Sequence, residues 1–235
     1  MRVLSYNVRH CQGVGSLISV RRTARAIAAL SPDVVAANEL YRWPGRYDQP
    51  ALLARLLGMH VVFQANVVVG ALEYGNAILS REPVRVLADV QLPHRWERRG
   101  LLLAETRADG TELTVGVTHL SLNRQTRALQ VAVCAEAIAE LGNRPMVLCG
   151  DLNADVRELG ALRGVLASTD EPPPTYHALI PRVAYDHVLW NRRFAAEGVV
   201  TSRSLASDHL PVYADLVMCE DETSSGFEKR GSGSV

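Results

Sequence analysis

The sequence predicts an α/β fold in which two sheets pack face to face and are covered by helices. Three observations predict it. Segments of period-two and helical patterning alternate along the chain. Several strand segments follow one another at hairpin spacing. At 48% apolar and 21% charged residues, the 235-residue chain can bury a sizeable core.

In chain order, strands are expected over 2–6, 34–37, 60–69, 76–80, 84–92 and 101–106, then 112–118, 146–149, 185–190, 199–203 and 212–217. The clearest is 112–118, where polar and apolar residues alternate as a sheet with one buried face requires. Asp109-Gly110 before it is a strong hairpin turn signal. Helices are expected over 20–30, 49–57, 124–141 and 157–166, the second stopping at Gly58 and the third at Gly142. One domain should span 1–218. Residues 219–235 should be a disordered tail, acidic at first and then rich in Ser and Gly.

Twenty-five basic residues balance twenty-five acidic ones, which argues against a large basic footprint on nucleic acid. No apolar run is long enough to span a membrane. The start lacks a charged segment followed by an apolar one and a cleavage site. Cys11, Cys134, Cys149 and Cys219 are widely spaced, which disfavours a zinc site or disulfide framework and makes reduced thiols in a cytoplasm the expectation.

Residues able to do chemistry fall at strand ends. Asn7 follows the first strand, and Asn38 and Glu39 the second. Asn76 starts a strand, and His119 ends another. Asp151 and Asn153 follow 146–149, Asp186 precedes His187-Val188-Leu189, and Asp208 with His209 precedes the last strand. A recurring choice of Asn, Asp, Glu and His at such positions suits hard divalent cations and phosphate chemistry.

The motifs LSYNVRH, PDVVAANEL, EYGNAILSR, VTHLSL, LCGDLNA, AYDHVLW and LASDHLPV occur in this order. The chain thereby resembles the endonuclease/exonuclease/phosphatase superfamily of metal-dependent phosphoesterases, from Leu4 to about Leu216. The resemblance implies a four-layer α-β-β-α sandwich of two mixed, mainly antiparallel sheets, with the site at one end. It implies that Glu39 is the main metal carboxylate, supported by Asn7 and Asp208, with Mg²⁺ as cofactor and Mn²⁺ as substitute. By the same resemblance Asp151 handles a proton, and Asn153 and Asn76 orient phosphate and water. Asp186 orients His209, and His119 contacts the phosphate. The family usually has Gln before the metal Glu, and here Asn38 is one methylene shorter.

Other residues carry weaker signals. His10 lies in a Gly-containing loop after Asn7 and is a candidate substrate contact, as is Arg99. The run 94–99 around Arg99 reads more readily as a solvated loop than as a nucleic-acid contact. His187 and Cys149 read as packing residues, and Arg127 with Gln130 as a tie between helix and sheet. The expected function is hydrolysis of a small-molecule or lipid-derived phosphate ester by a monomer. A nuclease using the same metal site is the alternative, needing an Arg-lined groove from Arg42, Arg46, Arg95, Arg98 and Arg99.

Overall fold

The computed structural model describes residues 1–219, so all but the first residue of the expected tail lies outside the described residues. The strands are β1 (Arg2–Asn7), β2 (Val34–Trp43), β3 (Tyr47–Asp48), β4 (His60–Val69), β5 (Leu72–Ser80) and β6 (Arg85–Leu92). They continue as β7 (Arg99–Ala108), β8 (Thr111–His119), β9 (Met146–Asp151), β10 (Asp186–Trp190), β11 (Phe194–Thr201) and β12 (Val212–Met218). The helices are α1 (Val20–Ala28), α2 (Gln49–Leu57), α3 (Arg124–Ala139) and the single turn α4 (Gly160–Arg163). One sheet runs β11-β12-β1-β2-β5-β4, with β3 attached to β2; the other runs β10-β9-β8-β7-β6. Only β1–β2 and β8–β9 are parallel pairs, so both sheets are mixed and mainly antiparallel, as expected.

Period-two alternation builds the layers because the central strands of each sheet are buried on both faces. Val3 of β1 enters the cluster between the sheets, while Leu4 turns to the cluster under α1 and α2. In β7, Leu102 and Ala104 face the other sheet, and Leu101 and Leu103 face the cluster under α3 and α4. Leu102 is 1% exposed. Leu102→Ala is therefore expected to cost about 2–5 kcal/mol in urea denaturation, because the site is gripped from two layers and cannot collapse. Leu122→Ala, at 77% exposure, should change stability by less than about 0.5 kcal/mol.

The helices follow local rules. In α1, Val20, Thr23, Ala24 and Ile27 form one buried stripe, and the Ser19 hydroxyl caps the start by accepting from Arg22 N. Asp48 caps α2, and Gly58 ends it in the left-handed conformation (φ 66°), as its position predicts. Asn123 caps α3, which stops at Ala139, short of the expected 141. The helix expected over 157–166 breaks into a 3₁₀ turn, Val156–Glu158, and α4, because Gly160 and Gly164 weaken helical continuity. Asp109 and Gly110 both take positive φ (52° and 75°) and join β7 to β8 in two residues. Arg127 donates to the Ser121 and Leu122 carbonyls and to Glu158, while Gln130 joins Ser121 N to the Pro93 carbonyl. These two residues tie α3 to the loop before it, to the segment after β6 and to the 3₁₀ turn, a structural role as expected but not a direct tie to the sheet.

Candidate active site

Register lines up the polar strand ends. Across β8, β9 and β10, His119 stands opposite Asp151 and Asp151 opposite Asp186. In the other sheet Asn7 pairs with Asn38 across β1 and β2, and Asn76 sits next to them in β5. The two rows come from different sheets and meet at one end of the sandwich. Asn38 joins them. Its amide nitrogen donates to Asn76 Oδ1 (2.9 Å) and to the Thr118 carbonyl (3.0 Å), and its oxygen accepts from Asp151 N (3.0 Å). The shorter amide thus has a cross-sheet positioning role.

Backbone irregularities aim the side chains. Between Ala37 and Leu40 the pairing of β2 with β5 shifts register, so Asn38 and Glu39 together oppose Asn76. Glu39 takes φ 63°, a left-handed conformation costing roughly 1–3 kcal/mol for a residue with a side chain. Arg9, His10 and Cys11 likewise take positive φ (43°, 54°, 58°) in the loop after β1. The Gln49 amide secures that loop by donating to the His10 carbonyl (2.7 Å) while accepting from Tyr41 N (2.9 Å). At Gly150, before Asp151, φ is 149° and a Cβ would fall 1.8 Å from the Thr118 carbonyl oxygen, so no other residue fits.

Around Asp151 the charged groups form two overlapping sets. Ligand atoms of Glu39, His119 and Asp151 lie within 4.8 Å of one another, as do those of Asp151, Asp186 and His209. Asn7 Nδ2 bridges Glu39 Oε1 (2.9 Å) and Asp151 Oδ2 (3.0 Å). Asn153 N donates to Asp151 Oδ1 (3.0 Å), and its side-chain nitrogen donates to the Leu120 carbonyl (3.0 Å). His209 Nδ1 is 2.7 Å from Asp186 Oδ2, and its Nε2 is 3.8 Å from Asp151 Oδ2. His119 Nε2 is 3.5 Å from Asp151 Oδ2. Arg99, on β7, is buried and paired with Glu97 at 3.1 Å. His10 Nε2 lies 3.7 Å from Glu39 Oε2.

Electrostatics follow from this crowding. Burial, and then the charge of Asp186, pushes the Asp151 carboxyl well above the usual carboxylate range, against the pull of His209 and the bonds from Asn7 and Asn153. Burial disfavours charge on His209, but Asp186, Asp151 and Asp208 outweigh it and raise the imidazole above its ordinary value. His119 is held well below its ordinary value by burial, then by Arg99 and His209.

The donor set fits a divalent cation. Glu39 and Asp151 supply hard oxygens with two carboxylates close together, the open arrangement that Mg²⁺ favours. Buried polar atoms also stand without partners at Asn76 Nδ2, His119 Nδ1 and Asp186 Oδ1. Two residues differ from expectation. Asn7 turns its nitrogen toward the carboxylates, its oxygen accepting from Arg9 N (3.1 Å). Asp208 belongs to neither set of converging atoms; its carboxylate pairs with Arg9 (3.4 Å) and accepts from Ser207 Oγ (3.3 Å).

Sequence reasoning gave no individual role to Arg9, Tyr41, Tyr74 or Glu97. Arg9 lies in LSYNVRH and Tyr74 in EYGNAILSR, but the two tyrosines become neighbours only through the β2–β5 register, which pairs them directly. His187 packs as expected, its Nε2 2.9 Å from the Ala154 carbonyl oxygen, and Cys149 is core.

Similarity to known proteins agrees with the geometry. The model of the Endonuclease/Exonuclease/phosphatase family matches residues 4–209. An endonuclease/exonuclease/phosphatase from Beutenbergia cavernae superposes with a TM-score of 0.79 at 26% identity, covering 93% of this chain and 71% of that one. A mannosyl-6-phosphatase of Bacteroides thetaiotaomicron gives 0.73 at 18% identity, covering 93% and 100%. The human Nocturnin catalytic domain with bound sulfate gives 0.69 at 19%, covering 93% of each chain. No curated protein matches the chain in sequence. With its motifs converging on one carboxylate–imidazole cluster and the family match running through most of its length, the chain belongs to the endonuclease/exonuclease/phosphatase family of phosphate-ester hydrolases.

Proposed function

We propose that the chain hydrolyses a phosphodiester or phosphomonoester of a small-molecule or lipid-derived substrate, using Mg²⁺ or, in its place, Mn²⁺. The observation that carries this reading is Asp151, shared between the cluster with Glu39 and the pair His209–Asp186. Glu39 is the residue that would hold the cation, beside Asp151, with the Asn7 amide nitrogen steadying both carboxylates. When bound, the cation neutralises phosphoryl charge and acidifies a coordinated water.

The chain's own residues supply the rest. Asp151 accepts the proton of the attacking water, its carboxylate aimed by Asn7 and by Asn153 N. Asp186 fixes the ring of His209 through Nδ1, leaving Nε2 to donate to a phosphoryl oxygen as negative charge builds there. The unpartnered Asn76 Nδ2, held by Asn38, and the imidazole of His119 contact the remaining phosphoryl oxygens. Asn153 helps to orient the water.

Several observations favour a small substrate over nucleic acid. Of the five arginines named for a groove, Arg42 pairs with Glu73 and Arg99 with Glu97, while Arg46 lies over Trp43 and Arg95 over Trp96. The formal charge is zero. Among proteins sharing the fold is one whose name assigns it a sugar monophosphate.

The test is a panel of aryl phosphate mono- and diesters and plasmid DNA, with Mg²⁺ or Mn²⁺. Hydrolysis of the esters should disappear with EDTA and return with excess metal. Cutting of DNA at low enzyme concentration, weakening steeply as salt rises, would favour the nuclease reading. An inert metal-loaded protein would point to a binding module.

A further inference from the structure

Resting on that function, we propose that the cleft beside Glu39 is a subsite for an uncharged aromatic or apolar group carried on the substrate's phosphorus. The cavity has a volume of about 360 Å³, enough for one small organic group. Glu39 forms part of its wall and also belongs to the cluster around Asp151, so the cleft opens directly beside the place of the phosphoryl group.

The wall is a built ring cluster. His10 stacks on Tyr41 with centroids 4.2 Å apart and planes inclined by 14°. Tyr74 stands 5.5 Å from each, tilted by 58° to His10 and 52° to Tyr41. The left-handed loop brings His10 to this stack, and Gln49 locks that loop to β2. Rings held by one another lose little freedom when a ligand packs against them, which favours binding. Val67, Val69 and Leu72 of the β4–β5 hairpin add an aliphatic side; Val69 is 69% exposed despite its apolar character.

Charge decides the class of ligand. Two carboxylates line the cleft: Glu97 is paired with Arg99 at 3.1 Å, and Glu39 lies 3.7 Å from the His10 ring. Glu39 is also committed to the proposed metal. No surplus negative charge is left for a quaternary ammonium, and one face of Tyr41 is covered by His10. A neutral ring or short aliphatic chain therefore fits better than a cation.

Unhydrolysable phosphonates test this on the full chain saturated with Mn²⁺, by titration calorimetry. Benzylphosphonate is expected to bind about tenfold more tightly than methylphosphonate. Tyr41→Ala and Val69→Asp should each remove most of that difference while leaving methylphosphonate affinity unchanged. Val69 is exposed, so its variant reads the cleft even if Tyr41→Ala disturbs folding. Equal affinities in the wild type, or parallel losses for both ligands in the variants, would overturn the subsite and leave the hydrolase reading standing. Tightest binding by (2-trimethylammonioethyl)phosphonate would overturn it in favour of a cation cage. Failure of every phosphonate to bind would sink both readings.

Discussion

His209→Gln is expected to lower kcat by at least about 10²-fold at saturating Mn²⁺, with KM changed by less than about threefold. The ring is well placed for a transition-state role because Nδ1 is held on Asp186 at 2.7 Å while Nε2 stands near Asp151. Asp186 favours the protonated ring, so Nε2 can donate to an oxygen whose charge grows during attack. An interaction that strengthens in the transition state lowers kcat when removed, and one equal in ground and transition states would raise KM instead. Gln keeps a donor for Asp186, so stability should fall little. His209→Ala leaves the buried Asp186 without that partner, and urea denaturation should show an added loss of about 3 kcal/mol. If the Gln variant retained kcat within tenfold, the histidine would be structural.

The fold was readable because the central strands are buried on both faces, which writes most of them as apolar runs ending in a few polar residues; β8, whose alternation predicted one buried face, is buried on both, Thr114 and Thr118 included. Those ends, Asn7, His119, Asp151 and Asp186, fall into rows once the strands pair, so much of the site was legible too. What escaped depends on backbone departures that a side-chain pattern does not encode. The Asn38–Glu39 bulge interrupts the apolar pattern, so β2 was expected to end at Ala37 when it runs to Trp43. Its continuation sets Tyr41 opposite Tyr74, and with the strand cut short that pair had no register. In β11 the shift around Ala196 and Gly198 hid a start at Phe194. The three left-handed residues after β1 include no glycine, so nothing local announced that His10 would reach Glu39.

Glu39→Gln is expected to weaken Mn²⁺ binding by about 10²-fold or more, read by calorimetry, because it removes the charge of one of the two carboxylates that meet around the proposed cation. A readout independent of turnover follows from linkage. At a free metal concentration about 100 times Kd, the wild type should gain about 2.7 kcal/mol of stability, while the variant at the same concentration gains less than about 0.5 kcal/mol. Without metal the order reverses. At alkaline pH, where the raised Asp151 carboxyl is ionised, Glu39 and Asp151 then repel one another across the Asn7 amide, and a neutral Gln at 39 relieves that repulsion. The metal-free variant should therefore melt at or above the wild-type temperature, since the amide oxygen at position 39 can still accept from Asn7. Equal metal-induced stabilisation of the two proteins would move the cation away from Glu39. It would then have to sit among Asp151, Asp186 and His209, the other set of converging atoms among the described residues.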